Sequence, residues 1–589
     1  MTKTALLPLL ALTALTALPA AAQAQDNLAA QYFSAARPAA QVPAVLSPEE
    51  RNHYRQLFAA IRSARWDEVD SLLARRDGLL DPVARAEYYL HPASPRVEGD
   101  RIAQWWSAGR RLPQAERLNN LAMSRGVPGG FDLPRARDLQ PRGYAPKRIL
   151  PRGVDDGSMP GSVSGAILDR IKNDDPDGAR LLLDGVDASL SAEARAEWRQ
   201  RVAWSYYIEN RDAEAQAMAR LVSDGGAGEW VAEGAWVEGL ASWRLGDCMN
   251  ATRAFAEAAP RARNVELAAA AYYWAARSTV RCRMPERAQE YLRGAAALDG
   301  TLYGMLAIEQ LGREFPDRFG QVDFDADDWR RIGDNPNVRT AIALAEIGEE
   351  DLAGEVLRHE AQLGSADDYN AVSRLARGLG LPGTQLWLAH RAPAGGSPSE
   401  AAKFPVARWT PVNGWRVDPA LAYAHALQES NFQRGVTSPA GAQGLLQIMP
   451  IAAREYAPSL GYNAASVDLT DPGVNLAFGQ RALEVLSQDR ATQGKLPKIM
   501  AAYNAGLTPI RRWESEVRDQ DDPLLYMESI PYWETRGYVA IVTRNYWMYQ
   551  RQSEAPSPQR RALAQNAWPM FPQFDGAPAG RVYLNTGDR

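Results

Sequence analysis

Glu429 is the carboxylate of this sequence best placed to keep a proton. It closes a short helical run, LAYAHALQES from Leu421 to Ser430, and a turn region containing Gly435, Pro439, Gly441 and Gly444 follows. Asp418 and Pro419 read as the N-cap and first residue of that helix, since an Asp oxygen accepts from orphaned amides and Pro has no amide to lose. About three turns on, Glu429 falls in the last turn, where the negative end of the helix dipole disfavours a carboxylate. Leu427, Phe432, Leu445, Leu446 and Met449 are expected to pack around it and to add desolvation, which also raises a carboxyl pKa. A carboxyl protonated near neutral pH is what a general acid requires.

Four stretches widen the signal: Glu429-Ser430, SPAGAQGLLQIMP from Ser438 to Pro450, AAYNAG from Ala501 to Gly506, and ESIPYWETRGYV from Glu528 to Val539. In this order they resemble the lytic transglycosylases, and among them the soluble murein transglycosylase type. The sequence departs from the usual pattern at Leu446, where Met is common, and at Leu507-Thr508, where Pro-Gly is common. The first change concerns packing and the second a loop, so neither touches the chemistry.

Glycoside cleavage ordinarily recruits two carboxylates. The resemblance implies one: Glu429 protonates the oxygen between N-acetylmuramic acid and N-acetylglucosamine, the muramyl N-acetyl group supports the cationic centre, and Glu429 then takes the proton of the muramyl C6 hydroxyl. That hydroxyl closes on C1, giving a 1,6-anhydro sugar without consuming water. An attacking group already held in the substrate favours this route. The remaining motif residues have expected roles around it. Ser430 fixes the helix end by a local hydrogen bond. Ser438, Gln447 and Met449 match positions lining the sugar subsites, Gln447 offering donor and acceptor and Met449 an apolar wall. Tyr503 brings a phenol toward the reacting sugar or Glu429, while Asn504 serves the turn. Glu528 and Glu534 can each bind substrate, with an ion pair to Arg536 for one of them; the resemblance favours Glu534. Tyr538, one turn further, shares its face.

Two rivals stand beside this reading. A lysozyme-type hydrolase of the same fold would let water attack, and an inactive helical scaffold would only bind murein.

The positioning elements are helices. Within 411–550, Asp471-Pro472 starts one, Pro497 begins another that Gly506 closes as a left-handed C-terminal residue, and a last one starts near Trp533. The resemblance makes this a lysozyme-like catalytic domain. Upstream, 25–391 is rich in Ala, Leu, Arg and Glu, with repeated units of apolar helix, polar turn and apolar helix, as in GLASWRLGDCMNATRAFAEAA from Gly239. The expectation is an all-α chain whose N-terminal part is an α-superhelix, a solenoid whose ring form would give a glycan a concave wall. Trp236, Trp243, Tyr272, Tyr273, Trp274 and Tyr303 read there as packing anchors. Prolines between Asp132 and Pro160 break the helical period and imply an extended crossing segment. The Pro/Gly-rich stretch after Arg391 makes 392–410 a linker, and 551–589 is a Pro-rich tail without helical period.

Residues 1–24 read as a cleavable signal peptide ending at Ala22-Gln23-Ala24, with no following Cys for a lipid anchor. Export to the periplasm, with no stable membrane anchor, is the expectation. A formal net charge of -5 without a basic block argues against nucleic acid as a partner. Peptidoglycan strands are the expected partner, with cell-wall synthase or division proteins as further candidates. Two Cys and five scattered His offer no metal-ligand spacing, so neither metal nor cofactor is expected. In an exported chain Cys248 and Cys282 could form a disulfide or remain two buried thiols.

Overall fold

The structure, a computed structural model, describes residues 42–572 apart from 318, 321, 322 and 464. The expected signal peptide and the end of the tail lie outside the described residues. Among those described are 27 α-helices and two strands of two residues each, so the chain is all-α. No helix among them is long and apolar enough to cross a membrane.

Short polar side chains set many helix starts. Ser47 makes a capping box with Glu50, Asn264 accepts from the amide of Leu267, and Thr301 from that of Gly304; each satisfies amides the helix itself leaves open. Helix Trp230–Arg244 is buried along its whole length, enclosed by Ala192–Ile208, Asp212–Ser223 and Cys248–Arg261. That explains its apolar residues on every side. Trp236, Trp243, Tyr273, Trp274 and Tyr303 are buried there, and Tyr272 is half-buried. They anchor helix packing: Trp274 stands edge-on to both Trp236 and Trp243, and its indole N–H donates to the Tyr303 hydroxyl. Cys248 and Cys282 are disulfide-bonded, Cα to Cα 5.5 Å, tying the start of Cys248–Arg261 to the end of Val265–Arg281.

Two apolar cores organise the molecule. One joins residues 46–122 to 324–392. The other runs from Ile167 through the middle helices and continues into the C-terminal helices from Phe404 to Leu563. The first core folds the array back on itself, and Glu346 seals that contact by accepting from the amides of Val45 and Leu46.

Between Val127 and Pro160 no helix forms. The segment crosses the array as expected, pairing Gln140-Pro141 with Arg391-Ala392 and bonding through Arg148 to Glu233 at 2.5 Å. The stretch 392–410 packs against the body, with Ala401, Phe404 and Ala407 buried and the carbonyl of Pro405 accepting from Tyr549. The tail contains a helix, Pro558–Ala564, started by Pro558 at a position where its missing amide costs nothing. Beyond it the tail returns to the body: Leu496 N donates to Pro569 O, and the Trp568 indole donates to Asp521.

The C-terminal helices begin close to the starts read from the sequence, at Pro419–Ser430 and Pro472–Gln488 with their Asp caps, and at Leu496–Ala505 and Trp533–Gln552 without a side-chain cap. At Gly506 the expected left-handed ending is corrected: φ is 83° but ψ is 167°, so the chain turns directly into helix Leu507–Glu516 where a loop was expected.

Candidate active site

Asp418 caps the Glu429 helix through Ala420 N, and Tyr546 holds its other oxygen at 2.7 Å. Asn431 stops the helix in the left-handed region, and Phe432 follows with φ 61°. That positive φ is strained for an aromatic residue and is offset by burying the ring. The chain therefore swings away directly after Glu429. Ser430 donates to Ala426 O, the local bond expected of it.

The glycine-rich loop is clamped by helix Pro472–Gln488. Asn475 donates to the carbonyls of Gln443 and Leu469 and accepts from Leu446 N, all at 2.8 to 3.0 Å. Gly444 has φ 75°, and a Cβ there would stand 2.2 Å from the Asn475 amide. A Cβ on Gly479 would meet Leu446 at 1.9 Å. These two glycines let loop and helix approach closely enough for the clamp.

Glu429 opens into a cleft of about 340 Å³ lined by Gln428, Ser438, Gln447, Asn504, Trp533, Glu534, Gly537, Tyr538 and Ile541. Burial raises its pKa to about 7; the Tyr538 hydroxyl, donating to Oε1 at 2.6 Å, works against that rise, and the Glu534 charge adds to it. Tyr538 is itself held by the buried His425, whose Nδ1 lies 2.7 Å from the same hydroxyl. Burial pushes the His425 pKa down to about 3, so the ring is neutral. His425 was not singled out from the sequence, although it sits one turn before Glu429 in an otherwise apolar stretch.

The other motif residues divide. Ser438 accepts from Ala442 N and lines the cleft. Gln447 spends both amide hydrogens on the carbonyls of Gly444 and Val436, so what it offers is its oxygen, an acceptor only. Asn504 lines the cleft and accepts from Thr535 at 2.6 Å, so it ties two helices together as well as shaping a turn. Glu534 is exposed at the cleft, on the first turn of its helix. Tyr503 donates to Leu446 O at 2.7 Å, which directs its proton away from Glu429, and its ring lies tilted against that of His425 with centroids 4.6 Å apart. Met449 does not pack over Glu429: it is 39% exposed, because it precedes helix Pro450–Tyr456 and points outward.

Glu528 departs most from expectation. It lies in a separate cavity of about 190 Å³, with Arg148, Glu233, Glu266, Trp204 and Arg536. Tyr303 donates to it at 2.6 Å, and Arg536 reaches its backbone carbonyl rather than its carboxylate. Burial raises its pKa there.

Residues 411–525 match the family model described as Transglycosylase SLT domain. That stretch of the chain is thus similar to an SLT domain. Around it, 149 residues are 36% identical to the soluble lytic murein transglycosylase of Escherichia coli K12, over 24% of this chain and 22% of that protein. The putative soluble lytic murein transglycosylase of Haemophilus influenzae is 34% identical over 149 residues, 24% of each chain. The chain thus matches these curated relatives over about a quarter of their length or less. In fold the likeness is wider. The crystal structure of the 70 kDa soluble lytic transglycosylase of Escherichia coli is similar with a TM-score of 0.52 at 16% identity, over 89% of this chain and 99% of that one. Lytic transglycosylase Slt of Pseudomonas aeruginosa, solved as an inactive mutant, gives 0.51 at 18% identity, over 87% and 90%. The matched stretch therefore sits in an all-α architecture of superhelix and lysozyme-like unit whose fold is shared with these structures.

Proposed function

We infer that the chain is a soluble lytic transglycosylase that cleaves the N-acetylmuramyl bond to N-acetylglucosamine in peptidoglycan and leaves a 1,6-anhydro end. The observation that carries this is Glu429, with a pKa near neutrality, which lies in the stretch similar to the SLT domain and faces a cleft walled on its other side by Trp533–Gln552. Such a group is populated both as acid and as base at one pH, which suits two successive proton transfers by the same residue. Tyr538 stabilises the anion between them. Ser438, Gln447, Asn504 and Glu534 are the sugar-contacting residues of this reading, and the exposed sulfur of Met449 extends the apolar wall outward. Tyr503 acts by positioning the loop, and Glu528 by joining the catalytic helices to the superhelix.

In the same reading the catalytic unit takes in 411–550, the superhelix 25–391, with 392–410 as a packed connector and 551–589 as a tail. Residues 1–24 direct export to the periplasm, where peptidoglycan strands are met and cell-wall synthase or division proteins are further partners. Mass spectrometry of murein digested with the purified chain tests the reaction. Anhydromuramyl products are expected, lighter by one water than hydrolysed ones; reducing muramyl ends alone would establish the hydrolase instead. No product at all would leave the scaffold reading.

A further inference from the structure

Tyr538 has one hydroxyl hydrogen and two neighbours that could take it. Glu429 Oε1 is 2.6 Å away and His425 Nδ1 is 2.7 Å away. Which of them receives it depends on the imidazole, because a neutral ring carries one N–H. If Nδ1 carries the hydrogen, it donates to the phenol oxygen, and the phenol hydrogen is left with Glu429. If Nε2 carries it, Nδ1 competes with Glu429 for the phenol hydrogen.

The surroundings of the ring separate the two cases. His425 is fully buried, and Nε2 meets no hydrogen-bonding partner among the described residues. A buried N–H without an acceptor is costlier and rarer than a lone pair without a donor. The hydrogen therefore belongs on Nδ1, where the phenol oxygen accepts it.

We propose that His425 is a positioning residue, held as the Nδ1–H tautomer, that fixes Tyr538 as a permanent donor to Glu429 Oε1 and so confines the transferable proton to Oε2. The acid proton then leaves from one oxygen and returns to the same one. Glu429 gives it from Oε2 to the departing glycosidic oxygen, and Oε2 regains a proton from the sugar hydroxyl as that hydroxyl forms its bond to C1. Without His425 the hydroxyl of Tyr538 turns freely, and the carboxyl can carry its proton on either oxygen. The other titratable groups facing this pair are Glu534 on the Tyr538 helix and Tyr503 on Leu496–Ala505, with Tyr456 behind Tyr503. The proposal rests on Glu429 being the acid of the transglycosylase reading, but its first test needs no turnover.

That test is the imidazole tautomer, read from side-chain carbon and nitrogen NMR shifts of the histidine-labelled full chain, with His425→Asn identifying the signal among five histidines. Nδ1–H supports the proposal and Nε2–H overturns it, whether or not the chain cleaves murein. Kinetics give the second test. His425→Leu is expected to lower kcat about tenfold with KM nearly unchanged and to move the alkaline limb of the pH profile upward, as loss of a fixed donor to a carboxylate requires. His425→Asn, whose amide can replace the Nδ1–H donor, is expected to restore most of both. In a Tyr538→Phe background the Leu change is expected to add nothing further. An equal loss in that background, or an unshifted pH profile in His425→Leu, would overturn the proposal. If the Leu variant does not fold, the tautomer decides.

Discussion

The hydroxyl of Tyr538 donates to Oε1 of Glu429 at 2.6 Å, across 109 positions of sequence. It gives a half-buried carboxyl with a pKa near 7 a partner that favours its charged form. Burial and donation pull in opposite directions, and burial wins. Several consequences can be measured.

Replacing Glu429 by Gln is expected to abolish murein cleavage, a loss of at least about a thousandfold if one group serves as both acid and base. It should also change stability with pH. The folded pKa of Glu429 lies above its unfolded value, so wild-type stability is greatest below the unfolded pKa and falls as pH rises through about 7. Gln removes that penalty. A gain in thermal midpoint at pH 8 that disappears at pH 4, amounting to about 3 kcal/mol at most, is the expected result. Equal midpoints at pH 8 would contradict the burial of the charge.

Tyr538→Phe removes the bond that lowers the Glu429 pKa. The general acid should then stay protonated to higher pH, moving the alkaline limb of the kcat profile up by about one unit, with kcat reduced roughly tenfold. A downward shift would show that the hydroxyl does not serve the anion.

Glu534→Gln should do the reverse. The Glu534 charge raises the Glu429 pKa, so its loss is expected to lower the alkaline limb by roughly half a unit or less. Because Glu534 is exposed, the shift should shrink at high salt. A shift unaffected by ionic strength would point to a direct contact instead.

Reducing the Cys248–Cys282 disulfide reopens a loop of 34 residues. The doubly serine-substituted chain is expected to lose roughly 4 kcal/mol of stability by the chain-entropy estimate, read as a lower denaturant midpoint. Its activity per folded molecule should be unchanged, since neither cysteine lines the Glu429 cleft. A specific activity that fell with the midpoint would show that the change passes through the Arg277–Asp522 ion pair, near Cys282, into the C-terminal helices.

Asn475→Leu leaves the carbonyl of Leu469 and the amide of Leu446 unpaired in a buried place, while the carbonyl of Gln443 keeps its bond from Ile448 N. The loop carrying Ser438 and Gln447 should loosen, raising KM more than it lowers kcat, with a stability loss of about 2–4 kcal/mol. An unchanged KM would mean that Tyr503, through its bond to Leu446 O, holds the loop without Asn475.

The residues differ in how far the sequence revealed them. The Asp418 and Asp471 caps, the Pro starts and the last-turn place of Glu429 were legible because a cap acts within one turn of its own chain. His425 was missed because one polar residue in an apolar helix carries no period. Its meaning lies in Tyr538, which belongs to another helix. The short segment after 551 hid a helix because prolines and aromatics masked a pattern only seven residues long.

The sequence by itself determined that the chain is helical, where the capped helices begin, and that four ordered motifs accompany one glutamate able to keep a proton. Those features depend on neighbours a few positions away. Tertiary structure supplied the reason that Glu534, which the resemblance favoured, reaches the cleft and Glu528 does not: a break at Ile530–Tyr532 separates their helices, and no helical period carries across it. It also decided the disulfide, the pairing of 46–122 with 324–392, and the partners of Glu429. Each is a meeting of distant segments, fixed by how buried surfaces pack rather than by what any one segment prefers.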